Sequence, residues 1–263
     1  MNRVEQKFRQ LRQENKKAFI TFITCGDPNL DVTQKLILEF ARLGVDLLEL
    51  GVPFSDPLAD GPTIQAASQR ALKNRINLAS VFQLVKRLRP KIELPIVLLT
   101  YCNIIYRFGI KEFVRQAKSC GVDGVIVPDL PVDEAKDLIK IGKKNRFATI
   151  FLLAPTSDIE RIKKVSYNSS GFIYYVSLTG TTGARESLPK ELIRQVKRIK
   201  KITSKPVCVG FGVSSPAQVR EIVRAADGVI VGSAIIKVIE KNLGRKELVH
   251  KVARFIDRLR QAV

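Results

Sequence analysis

The sequence predicts an α/β fold: a single closed barrel of eight parallel strands wrapped by helices, with an extra helix at the N-terminus. Short apolar runs alternate with amphipathic stretches along the whole chain. The runs are apolar at consecutive positions rather than at every second one, which suits strands covered on both faces. Eight such runs in 263 residues match the count and size of a (β/α)8 TIM barrel. With 45% hydrophobic residues and no long low-complexity tract, residues 1–263 are expected to form one domain with one large core.

The elements follow in order. MNRVEQKFRQLRQENKK reads as a helix with Val4, Phe8 and Leu11 on one face, and residues 1–16 are expected to pack as a helix on the barrel. Strand candidates are AFITFIT (18–24), DLLEL (46–50), LPIVLLTY (94–101), GVIVP (124–128), FATIFLLA (147–154), FIYYVS (172–177), PVCVG (206–210) and GVIVG (228–232). Helical patterns lie between them at 32–43, 79–88, 111–118, 132–144, 159–165, 189–201 and 216–225. A last helix, 246–262, places Val249, Val252, Phe255, Ile256 and Leu259 on one stripe.

Composition removes several function classes. No apolar stretch approaches the ~20 residues of a membrane helix, and the N-terminal segment has neither an apolar h-region nor the acid-poor, Ser-rich character of a transit peptide. The expectation is a soluble protein of a bacterial cytoplasm, or of a plastid stroma if plastid-encoded. Cys25, Cys102, Cys120 and Cys208 show no CxxC spacing and sit in or beside apolar segments, as small buried thiols do. One histidine, His250, and scattered cysteines offer no ligand set for zinc or iron, so no metal is expected. The formal charge of +20 invites a nucleic-acid reading, but Lys and Arg are spaced along outer helix faces and the chain has no Trp. A solvated basic exterior is the expectation, with neither nucleic acid nor membrane as partner.

A barrel turns strand order into geometry, because the strand C-termini and the loops after them form the face that carries active sites. Those ends hold the polar and glycine residues, among them Glu49, Gly51, Tyr101, Asn103, Asp129 and Thr179. VGFGVSSP after the seventh strand and VGSA after the eighth place glycines where backbone N–H groups could meet a phosphate at a helix N-terminus. Tight βα turns would also explain these glycines. SLTGTTGARESLP, after the sixth strand, reads as a lid or as a plain surface loop. Glu49 interrupts an apolar strand, and its flanking leucines predict a raised pKa.

LELGVPFSDPLADGPTIQ (48–65), GVDGVIVPDLPVDE (121–134), FIYYVSLTGTTGAR (172–185) and VGFGVSSP (209–216) resemble, in order, the signature segments of the tryptophan synthase alpha chain family. The resemblance implies a carbon–carbon lyase that cleaves indole-3-glycerol phosphate to indole and glyceraldehyde 3-phosphate by a retro-aldol reaction. Carried onto matching positions, it makes Glu49 the acid and base and Asp60 the partner of the indole N–H. Phe22, Ile64, Leu99, Ile126 and Phe211 would form the apolar slot, with Tyr174 beside the carboxylate and Thr182 on the lid. Gly183, Gly212, Gly232 and Ser233 would hold the phosphate. The family pairs this chain with a beta subunit carrying pyridoxal phosphate, in an alpha2beta2 assembly that channels indole between subunits, and Asp56, Asn103, Asp129 and Pro131 match its contact region. No cofactor is implied for this chain itself. Ile104 stands where the family usually has proline, and the basic charge is high for it. The competing readings are another phosphate-binding barrel enzyme and a non-catalytic basic binding module. A Schiff-base aldolase would need a lysine at a strand end, and none of the eight ends has one.

Overall fold

The computed structural model describes residues 1–176, 190–210 and 212–263. Helix α1 (Arg3–Gln13) precedes β1 (Ala18–Thr24), α2 (Leu30–Arg42), β2 (Leu47–Gly51), α3 (Pro62–Lys73), α4 (Leu78–Leu88) and β3 (Ile96–Leu99). Then come α5 (Cys102–Phe108), α6 (Ile110–Cys120), β4 (Gly124–Ile126), α7 (Lys136–Lys144), β5 (Ala148–Ile150), β6 (Leu152–Leu153) and α8 (Ile159–Asn168). The chain ends with β7 (Ile173–Val176), α9 (Lys190–Ile202), β8 (Val207–Gly210), α10 (Pro216–Val223), β9 (Gly228–Val231), α11 (Ser233–Glu240) and α12 (Leu248–Arg260).

All strand pairs are parallel, in the order β5-β4-β3-β2-β1-β9-β8-β7-β6. The two ends of that order are consecutive pieces of one run, FATIFLLA, so the sheet closes into a TIM barrel through the covalent chain at Phe151. The run divides there because the Phe151 N–H donates to the Ser169 hydroxyl at 3.3 Å instead of joining the ladder to β4.

Two packed regions result. The helices cover the outer face of the strands in one large core that includes Leu36, Phe40, Phe82, Phe113, Val196 and Ile256. Inside the barrel lie Ile20, Leu47, Val97, Ile126, Ile150, Phe172, Tyr174, Cys208 and Ile230, joined by Val4, Phe8 and Leu11 of α1. Helix α1 closes the N-terminal end of the barrel, with the Phe8 ring 5.4 Å from that of Phe172. An Asn2–Glu5 capping box fixes where this helix starts.

The same end is stapled by three aspartates that precede strands. Asp46 accepts the Phe19 N–H at 2.9 Å, Asp123 the Ile96 N–H at 3.0 Å and Asp227 the Val207 N–H at 3.0 Å. Each carboxylate thus pins the first residues of the neighbouring strand. Polar chemistry at this end serves stability and leaves the opposite end free for function.

Three helices lie outside the periodic segments. Helix α3 buries only Ala67, Ser68 and Ala71, a stripe too small to carry a hydropathy signal, and starts from Pro62 at its first position. Helix α5 is seven residues long, and α11 springs directly from β9. Helix α7 begins at Lys136 rather than at 132, because a turn closed by the Glu134 N–H and Pro131 C=O leads into Ala135, whose φ of −84° and ψ of 15° are not helical.

Candidate active site

Strand register assembles the site. Phe22, Glu49 and Val97 are Cα partners across β1, β2 and β3, so all three point into the barrel on one level. Thr24, Gly51, Leu99, Ile126 and Ile150 form the next level towards the strand C-termini. Gly51 is required there, since a Cβ would come within 2.8 Å of the Phe22 ring. On the facing wall, Tyr174 pairs with Leu152 and Cys208, and its hydroxyl lies over Gly210, where a Cβ would overlap it.

Glu49 is fully buried, and neither carboxyl oxygen has a hydrogen-bond partner among the described residues. Burial raises its pKa well above the usual glutamate range, with no cation to oppose the shift. Burial thus favours the protonated carboxyl over the carboxylate at this position. Its own burial raises the Tyr174 pKa well above the usual tyrosine range.

Asp60 arrives from the loop between β2 and α3. Burial pushes its carboxyl up to about 6, while a hydrogen bond from Tyr101 pulls the other way. Tyr101, at the end of β3, also accepts the Ala59 N–H at 3.2 Å and stacks on Phe54 with centroids 5.1 Å apart. Gln65 Nε2 donates to the Asp60 carbonyl at 2.8 Å, tying the loop to α3. The Asp60 charge raises the pKa of Tyr101 and is among the groups that raise that of Tyr174. The two carboxyls differ in degree: burial alone acts on Glu49, whereas Tyr101 opposes the effect of burial on Asp60.

Of the apolar candidates, Phe22 and Ile126 are buried inside the barrel, and Leu99 and Ile64 are half-buried near its mouth. Phe211, Thr182 and Gly183 lie outside the described residues. Gly212 is exposed, with a φ of +73° and open space around its Cα. Gly232 caps α11 and Ser233 opens it, with no side chain hydrogen-bonded to that helix start. The start of α10 is different, because Ser215 and Gln218 already satisfy its first N–H groups in a capping box. Of these two helix starts, that of α11 is the one whose first N–H groups no side chain satisfies.

Asp56, Asn103, Asp129 and Pro131 are all exposed, Asn103 in the first turn of α5 and the others on the loops after β2 and β4. Asp129 accepts the Cys102 N–H at 2.9 Å, linking the loop after β4 to the start of α5. No group of three or more His, Cys, Asp or Glu among the described residues could hold a metal ion, and no described helix is long and apolar enough to cross a membrane.

A family described as the tryptophan synthase alpha chain matches residues 8–263. The chain belongs to this family. A tryptophan synthase alpha chain from Caldanaerobacter subterraneus is 45% identical, with both chains covered in full. One from Geotalea daltonii is 48% identical over all of this chain and 99% of its own. The solved alpha subunit of Legionella pneumophila superposes with a TM-score of 0.93 at 36% identity, covering 100% of this chain and 98% of that one. A chain of the Pyrococcus furiosus tryptophan synthase a2b2 complex gives a TM-score of 0.88 at 42% identity, over 93% of this chain and 98% of its own.

Within this alpha-chain framework, two groups on the strand C-terminal side escape motif reading. Tyr101 is named in the sequence only as part of a strand end, and its hydroxyl acts on a loop 42 positions away. Thr24 carries a buried hydroxyl with no partner among the described residues, one level above Glu49. Its position at the end of the first strand was the available signal for it.

Proposed function

We propose that the chain cleaves indole-3-glycerol phosphate to indole and glyceraldehyde 3-phosphate as a carbon–carbon lyase. The observation that carries this is the Glu49 carboxyl, fully buried on the barrel interior, without a hydrogen-bond partner among the described residues, and raised well above the usual glutamate pKa by that burial. Protonated Glu49 delivers its proton to C3 of the indole ring and leaves a cationic indolenine. Ionised Asp60 accepts the indole N–H and stabilises the positive charge on that nitrogen. The Glu49 carboxylate then takes the proton of the hydroxyl on the adjoining glycerol carbon. As the aldehyde forms, the C–C bond to C3 breaks and its electron pair restores the indole ring. Glu49 regains the proton it gave, so one group serves as acid and then as base.

The remaining groups position the substrate. Phe22, Ile64, Leu99 and Ile126, with Phe211, form the slot for the ring, and Tyr174 closes it on the Glu49 side. Gly212, Gly232 and Ser233, with Gly183, receive the phosphate at the uncapped start of α11, and Thr182 belongs to the lid segment. Pyridoxal phosphate belongs to a beta subunit, which receives indole in an alpha2beta2 assembly. Asp56, Asn103, Asp129 and Pro131 form the docking face for it, with Leu58 (93% exposed) and Tyr106 (53% exposed) as apolar anchors.

The test is indole release from indole-3-glycerol phosphate by the purified chain, with and without a beta subunit. Wild type is expected to be active and stimulated by the partner, and Glu49→Gln and Asp60→Asn inactive. A folded wild-type chain that releases no indole under either condition would overturn the reading.

A further inference from the structure

Helix α3 begins two positions after Asp60 and is tied to it by the Gln65 bond to the Asp60 carbonyl. Whatever fixes α3 therefore fixes the loop carboxylate. Two turns further along the helix, the Arg70 guanidinium forks onto Asp27, with Nε to Oδ1 at 2.7 Å and Nη2 to Oδ2 at 2.9 Å. Its remaining nitrogen, Nη1, donates to Glu240 Oε1 at 3.1 Å, at the last residue of α11. One more bond, from Asn74 Nδ2 to the Pro28 carbonyl at 2.5 Å, holds the end of α3 to the same loop after β1.

Three elements thus meet on one side chain: the helix behind Asp60, the loop after β1, and the helix whose start faces the phosphate. The Asp27 side chain is wholly buried and that of Arg70 is 20% exposed. Burying a charge pair is a poor way to gain stability, because apolar residues of the same volume commonly do as well or better. A bidentate fork supplies orientation, since both carboxylate oxygens and the plane of the guanidinium are fixed together. The substrate assigned above must span the distance between Asp60 and the α11 N-terminus, and α3 packs against α11.

We infer that Arg70 is a positioning residue for the lyase reaction, acting through Asp27 and Glu240 to hold the Asp60 loop in register with the anion-binding start of α11. The inference rests on the assignment of Asp60 under the proposed function.

Arg70→Lys tests it, because the charge stays while a single ammonium cannot make the fork and reach Glu240 as well. The expected result is a kcat for indole-3-glycerol phosphate cleavage lower by about 10- to 100-fold, the scale of a small misplacement of a reacting group. KM should stay within about threefold, since the slot and phosphate contacts remain and the lost interaction is one made in the transition state. The acid limb of the pH–rate profile should move to higher pH, because a displaced Asp60 loses the Tyr101 hydrogen bond that lowers its pKa. A merely structural role would lower thermal stability without moving that limb. Asp27→Asn, which keeps the shape and weakens the fork, is expected to change kcat and the acid limb in the same direction. Wild-type kcat in Arg70→Lys, or a loss of activity with an unmoved acid limb, overturns the inference. Asp60→Asn is measured alongside. If it retains wild-type kcat, the Asp60 assignment fails and takes the inference with it; if it is inactive while Arg70→Lys is normal, only the inference fails.

Discussion

Tyr101 and Asp60 are joined by a hydrogen bond that lowers the Asp60 pKa against the effect of its burial, and the same tyrosine oxygen accepts the Ala59 N–H at 3.2 Å. One phenol at the end of β3 thus sets both the position and the charge of a carboxylate on the neighbouring loop. Tyr101→Phe keeps the ring stack on Phe54 and removes only the hydroxyl.

Activity in Tyr101→Phe is expected to fall about tenfold, the cost of one hydrogen bond to a charged group. The pH dependence is the sharper readout. Asp60 must be ionised to meet the developing charge, so activity is lost on acidification through its pKa, about 6 in the native chain. Without the hydroxyl that pKa rises, and the acid limb of kcat/KM moves to higher pH. A pH–rate profile with an unmoved acid limb would show that Tyr101 does not act on Asp60.

The N-terminal end of the barrel makes a stability prediction with no catalytic component. Asp123 accepts the Ile96 N–H at 3.0 Å and is paired with Arg3 at 3.0 Å and Arg89 at 3.3 Å, while its own side chain is almost wholly buried. Asp123→Ala leaves the buried Ile96 N–H without its acceptor and removes the carboxylate that faces Arg3 and Arg89, although Arg89 keeps the Leu94 and Gly121 carbonyls. Loss of one partner from such a cluster costs about 3–5 kcal/mol. Urea denaturation should show a lower midpoint, with KM for the substrate unchanged in the fraction that stays folded.

The division between what could be read from the sequence and what could not follows sequence distance. Glu49 is legible because a carboxylate between Leu48 and Leu50 interrupts an apolar strand. The eight runs and the Val4, Phe8 and Leu11 stripe are legible because burial on one face leaves a periodic trace. Helix α3 is not, since Ala67, Ser68 and Ala71 leave almost none. The break at Phe151 depends on a serine 18 positions away, and the Arg70 fork on an aspartate 43 positions away. Such contacts exist only once the barrel has closed, so no local pattern announces them.

The exposed face after β2, β3 and β4 predicts a binding effect separable from chemistry. Asn103 and Tyr106 lie three residues apart on α5 and share one side of it, with the tyrosine ring 53% exposed. Aromatic anchors of this kind dominate interfaces, each contributing about 2 kcal/mol or more. Tyr106→Ser should therefore weaken beta-subunit binding by about 30-fold while indole release by the isolated chain stays at the wild-type rate. Titration calorimetry against a beta subunit measures the first, and the indole assay the second. Undiminished affinity would remove α5 from the docking face.

Glu49 makes the last prediction, because the protonation that suits it to catalysis also burdens the fold. Burial raises its folded-state pKa well above the unfolded value, so between those two values the native state holds a proton that the unfolded state has released. Stability therefore falls as pH rises through that window, by ~1.4 kcal/mol per pH unit. It is at its full value below the unfolded glutamate pKa of about 4.3. Glu49→Gln has the same shape and no proton to lose. Urea unfolding of the two chains should give similar stabilities near pH 4 and a growing advantage for Glu49→Gln towards pH 8, while that variant releases no indole at either pH. A stability difference that stays flat with pH would mean that Glu49 ionises in the folded chain as readily as in the unfolded one, and its role as the acid would fall with that result.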